Sequence, residues 1–177
     1  MLMRRRGTDS DALRLQTDLL AAIGVGSALF HLCASRWSQI LDVLPILALQ
    51  TPFVWCYARQ IVVLNRLLST VIAVFLVGTQ VSLQYSETLN GLLSYLPSLV
   101  MLFAAGIYHL VTCKCERFSI ILAATVFLPA VILRTIDLAV CGAIPIGTHF
   151  LWHLLSALVL YLAMRGLVLN WPQAAHS

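Results

Sequence analysis

The chain has 177 residues, of which 60% are hydrophobic and 10% charged, with a net charge of +4 and a mean hydropathy of +0.93. A soluble domain carries about 25% charged residues, so this chain cannot cover a water-facing surface, and disorder, which needs low hydrophobicity, is excluded as well. With only 9 glycines and 5 cysteines it is neither collagen-like nor a disulfide scaffold, which leaves an all-α integral membrane protein.

A spanning helix needs roughly 20 mostly apolar residues. Barrel strands would show alternating segments of about 10 residues, whereas this chain has long continuous apolar runs. Taken in chain order, the runs predict six membrane helices near residues 19–34, 40–58, 61–83, 89–112, 118–140 and 147–169. The first is short and follows the polar stretch of Arg14, Gln16 and Asp18. Connections are short, so neighbouring helices should be antiparallel. No stretch is long enough for a separate soluble domain, and residues 1–177 read as a single polytopic unit.

Lysine and arginine in the loops predict orientation. One side collects Arg4, Arg5, Arg6, Arg14, Arg59, Arg66, Lys114, Arg117 and Arg165, while the other holds Arg36, Arg134 and Glu87. Both visible termini are therefore expected on the cytoplasmic side. The positive charge reflects topology and forms no extended patch, so no nucleic-acid partner is expected. Residues 1–6 resemble the basic start of a signal peptide. The apolar run begins only near Leu19 and no A-x-A-like cleavage site follows, so this helix is expected to be retained.

Ionisable residues within membrane segments are costly and usually have a function. Here they are His31, Asp42, His109, Arg134, Asp137, His149 and His153. Folded onto the six-helix topology, all except His109 fall at one depth near the outer face. His109 lies at the inner end of the fourth helix and reads as a structural hydrogen-bonder.

His149 and His153 are spaced i, i+4, so both project from one helix face, the spacing of helical zinc motifs. His31 can supply a third nitrogen, and three histidines with an open fourth position describe a catalytic zinc site. Ser27 lies one turn before His31, and Asp42 reaches in from the next helix. A serine and an aspartate beside a metal-activated water suit hydrolysis, one positioning the water and the other moving protons. Two readings compete. A bis-histidine haem would leave one of His149 and His153 idle, because both lie on one face. A proton or ion path through Asp42 is the other.

Other residues have plainer readings. Arg134 and Asp137 are expected to form an intrahelical ion pair that lowers the burial cost of both. Cys113 and Cys115 form a C-x-C in a cytoplasmic loop, where thiols stay reduced. Cys33 and Cys141 fall on the outer side as candidates for pairing. Cys56 reads as packing. Gly24, Gly26 and Ser27 form a stripe that suits close helix packing. Pro45, Pro52, Pro97 and Pro129 are expected to kink their helices.

The stretch from Gly26 to His31, followed by Gln39-Ile40-Leu41-Asp42-Val43-Leu44-Pro45, resembles the S-x-x-x-H and L-D-E-L pattern of the alkaline ceramidases. Arg134-x-x-Asp137-x-x-x-Cys141, followed by Gly147 to Ala157, resembles that family's D-x-x-x-C and H-x-x-W-H-x-x-x-A segment. The wider superfamily includes the progestin and adiponectin receptors. The resemblance implies a zinc-dependent hydrolase that cleaves the amide of ceramide-like lipids, with His31, His149 and His153 as zinc ligands and Ser27 and Asp42 contacting the water on zinc. It also implies a membrane lipid as substrate and calls for no obligate protein partner. Trp152 is expected either to line the substrate entrance or to act as an interfacial anchor. A receptor-like or lipid-binding protein with a structural zinc is the alternative. The family has seven helices, so this chain is expected to be a six-helix variant or to start downstream of a further one. Val43 stands where a glutamate often follows the aspartate. The family's acidic calcium site near the N-terminus has no counterpart, and no calcium is expected.

Overall fold

The computed structural model describes residues 2–33, 35–84, 88–140, 142 and 147–172. Cys141, and with it the Cys33–Cys141 pairing, lies outside these residues, as does Glu87. All regular structure among the described residues is helical. Six helices among the described residues are long and apolar enough to cross a membrane, so the chain is an all-α, multi-pass membrane protein. The chain divides into two compact units, residues 1–77 with 172–177 and residues 78–171.

The first unit is built on α1 (Leu2–Cys33) and α2 (Arg36–Cys56), followed by a short π-helical turn (Tyr57–Ile61) and the start of α3 (Arg66–Gln84). Helix α1 begins well before the expected residue 19, and its membrane-compatible part is Asp11–Cys33. It packs on α2 through Gly26, where a Cβ would lie 2.0 Å from the Leu41 carbonyl oxygen. Within the expected small-residue stripe, that close approach is made by Gly26, whereas Gly24 has nothing within 4 Å. Pro45 and Pro52 lie inside α2.

Helix α3 starts at Arg66, five residues beyond the expected residue 61, because α2 unwinds through the π turn. There the Val62 amide donates to the Tyr57 carbonyl at 3.1 Å and the Leu64 amide to the Ala58 carbonyl at 2.9 Å. The Arg59 guanidinium donates to the Leu64 carbonyl. Asn65 then caps α3, its Oδ1 accepting from the Leu68 amide at 2.8 Å, as a short polar side chain does at a helix N-terminus.

The second unit holds the end of α3, a 3₁₀ segment (Thr88–Tyr95), α4 (Leu96–Val111), α5 (Ser119–Val140) and α6 (His149–Leu169). Pro97 was expected inside a helix. It instead stands in the first turn of α4, where the missing N–H costs nothing, and marks the change from 3₁₀ to α geometry. Helix α5 packs on both α4 and α6. Its buried face is Ile120, Ala123, Ala124, Phe127, Ala130 and Val131, spaced at the helical period. Leu122, Leu128, Ile132 and Ile136 are exposed on the same helix, as suits a lipid-facing side. Glycines bring the backbones close here too: a Cβ on Gly106 of α4 would lie 2.7 Å from the Ile121 Cα of α5. Small residues are how membrane helices gain contact when lipid offers no hydrophobic drive.

The connection from α4 to α5 is tied to the end of α6. Asn170 Oδ1 accepts from the Cys115 amide at 2.8 Å, and Nδ2 donates to the Cys115 carbonyl at 3.0 Å. Nδ2 also lies 3.1 Å from His109 Nε2. His109 is fully buried, and its structural role agrees with the sequence expectation. Glu116 forms a two-pronged ion pair with Arg165, which also donates to the Tyr161 hydroxyl at 2.7 Å.

Candidate metal centre

The expected site residues divide between the two units. Ser27, His31 and Asp42 belong to the first, and His149 and His153 to the second.

In the first unit, His31 occupies the last turn of α1 and is exposed, with the Phe30 ring 5.7 Å from its own. Ser27 is half-buried one turn earlier, and Asp42 is half-buried in α2. The Gly26 crossing sets their local placement, since a Cβ there would also lie 3.3 Å from the Asp42 amide nitrogen.

In the second unit, His149 and His153 occupy the first two turns of α6. Their rings meet edge to face with centroids 4.7 Å apart. Each offers a ring nitrogen, the two within 4.8 Å of each other; two nitrogens on one zinc ion at about 2.0–2.1 Å lie no more than about 4.2 Å apart, so a small side-chain adjustment would bring both onto one ion. Both rings are half-buried.

Asp137 of α5 holds this pair in place. Its Oδ1 accepts from the Thr148 amide at 2.6 Å and the His149 amide at 2.9 Å. Its Oδ2 lies 4.0 Å from His149 Nδ1. The first N–H groups of a helix lack internal partners, and a carboxylate placed there also suits the helix dipole. Thr148, at the N-cap position, does not supply that acceptor itself. Its hydroxyl donates instead to the Leu133 carbonyl of α5 at 2.7 Å. Gly147 adopts φ +67° as the chain turns into the helix, a conformation that glycine enters without steric cost.

From its spacing, Asp137 is expected to pair with Arg134. The structure shows the Asp137 carboxylate at the α6 terminus and the Arg134 guanidinium over the Tyr95 ring at 5.2 Å. Nothing in the spacing along the chain marks Asp137 as the partner of a helix start twelve residues further on. Trp152, between the two histidines, packs on Tyr95 at 5.1 Å and Phe127 at 6.1 Å between ring centroids. That cluster anchors the α6 face just after His149.

The donor set fits zinc chemically: neutral imidazoles are its usual nitrogen ligands, and His149 has a carboxylate facing its second nitrogen. Compared with known proteins, the chain matches no family model, no curated protein and no solved structure.

Proposed function

We propose that this chain is a zinc-dependent membrane hydrolase that cleaves the amide bond of ceramide-like lipids, the activity implied by its resemblance to the alkaline ceramidases. The observation that carries the reading is the His149–His153 pair, with ring nitrogens within 4.8 Å on a helix start capped by Asp137. A membrane helix has little other reason to present two adjacent imidazoles backed by a carboxylate.

In this reading His31, His149 and His153 hold the ion. When bound, zinc acidifies water and polarises a carbonyl. Asp42 accepts a proton from the attacking water and delivers it to the leaving amine. Ser27 hydrogen-bonds the water or the carbonyl oxygen as charge develops there. Apolar helix faces receive the acyl chain. Both termini lie on the cytoplasmic side by the loop-charge bias, with the site near the opposite face. Labelling of the exposed Cys113 by a membrane-impermeant thiol reagent from the cytoplasmic side alone would support that orientation.

The test of function is zinc content together with cleavage of a fluorescent ceramide, on wild type, His149→Ala and His153→Ala. We expect about one zinc per wild-type chain, and loss of both zinc and cleavage in each variant. Retained zinc in the His149→Ala protein would sink the ligand assignment. Zinc without turnover would favour a receptor-like protein with a structural metal.

A further inference from the structure

We infer that Asp137 is a positioning residue for His149, using one carboxylate oxygen to hold the start of α6 and the other to orient the imidazole. The inference rests on the zinc reading above and assigns the metal centre a residue on α5.

Capping needs only one acceptor, and Oδ1 meets it by taking both the Thr148 and His149 amides, at 2.6 and 2.9 Å. Oδ2 faces His149 Nδ1 at 4.0 Å, within ion-pair range and beyond hydrogen-bond length. An Nδ1 held toward the carboxylate would leave Nε2 as the atom that His149 offers a metal. The same carboxylate thus ties ring orientation to the backbone position of the residue carrying the ring. A second stitch, from the Thr148 hydroxyl to the Leu133 carbonyl at 2.7 Å, holds the helix start to α5; the same hydroxyl makes a longer contact to Asp137 Oδ1 at 3.4 Å, on the capping oxygen and not the one that faces the ring. Holding the terminus and orienting the ligand can therefore be separated. Carboxylates behind metal-binding histidines fix the ring and raise its basicity, and their loss typically weakens metal binding about 10- to 100-fold.

The test uses the full-length protein in detergent, with cobalt(II) as the spectroscopic probe and a chelator competition for affinity. Asp137→Asn retains an oxygen for the backbone amides but loses the charge facing the ring. It should keep a near-wild-type thermal midpoint while cobalt affinity falls about 10- to 100-fold and the cobalt absorption bands shift. Thr148→Val removes the Leu133 stitch and the long contact to Asp137 Oδ1 but leaves Oδ2 and its charge in place; it should lower the thermal midpoint and change cobalt affinity and bands far less than Asp137→Asn. Should Asp137→Asn not fold, Asp137→Glu keeps the anion at the helix start but displaces it from the ring, and its cobalt bands should shift in the same way.

Wild-type cobalt affinity and bands in the Asp137 variants, with metal lost in His149→Ala, would overturn this inference and leave the zinc reading standing. No cobalt or zinc bound by the wild type would overturn both.

Discussion

Gly26 of α1 lies against the backbone of Leu41 in α2, so close that a Cβ on residue 26 would sit 2.0 Å from the Leu41 carbonyl oxygen and 2.8 Å from its carbonyl carbon. Backbone cannot swing aside as the end of a flexible side chain can. Gly26→Ala should force α1 and α2 apart, costing about 1–3 kcal/mol as overpacking does, and should reduce hydrolysis by displacing Ser27 relative to Asp42. Gly24→Ala, with nothing within 4 Å, should be neutral or slightly stabilising, since alanine is the better helix former. Thermal midpoints in detergent would separate the two. Equal effects would show that the crossing does not constrain the unit.

The proposed roles of Asp42 and Ser27 predict a split between metal and chemistry. Asp42→Asn should retain zinc at the wild-type ratio and lose cleavage by roughly 10²- to 10⁴-fold, the usual contribution of a general acid–base. Ser27→Ala should also retain zinc, with a loss of up to roughly 10²- to 10³-fold if it donates to the developing oxyanion. Metal analysis beside a turnover assay reads both. An Asp42→Asn protein that still turns over would remove Asp42 from the mechanism.

The Glu116–Arg165 pair predicts a pH dependence at the other end of α6. Hydrogen bonds from the Arg165 guanidinium hold the Glu116 carboxyl below its usual value of 4.5. A depressed folded-state value means that the stabilisation is fully present above about 4.5 and is lost as pH falls through the lower, folded value. The midpoint gap between wild type and Glu116→Gln should therefore be present at neutral pH and close in acid. The side chains are 43% and 35% exposed, so the gap should be small and should shrink in high salt. A gap that widens in acid would contradict the sign.

Asn170 joins three partners, the Cys115 backbone, His109 and the Gly166 carbonyl. Asn170→Ala would leave the fully buried His109 without that amide and release the loop that follows α4. Losing one of its hydrogen bonds costs a buried polar group about 0.5–1.5 kcal/mol. The variant should melt earlier and expose Cys113 and Cys115 to faster thiol labelling. Zinc content should not change.

The expected site residues were legible because a chain with so few charges must justify each one that it keeps in an apolar run. His149 and His153 follow directly from i, i+4 geometry, and the structure places their rings together. Asp137 was legible as a polar residue but not as a cap. Its spacing from Arg134 suggests a local pair, while the two amides it caps belong to residues eleven and twelve positions further on. Trp152 likewise showed no sign in the sequence of its packing on Tyr95 and Phe127.

Sequence by itself determined the class and the number of spans. In a bilayer each apolar run of about 20 residues must satisfy its own backbone as a helix, so hydropathy alone counts the crossings. It misplaced the start of α3 and the role of Pro97, because hydropathy is blind to where hydrogen bonding switches between α, π and 3₁₀ patterns. Only the tertiary structure decided which glycine is a contact and which carboxylate oxygen faces which nitrogen. Those depend on distances between helices, and periodicity along one helix carries no information about its neighbour.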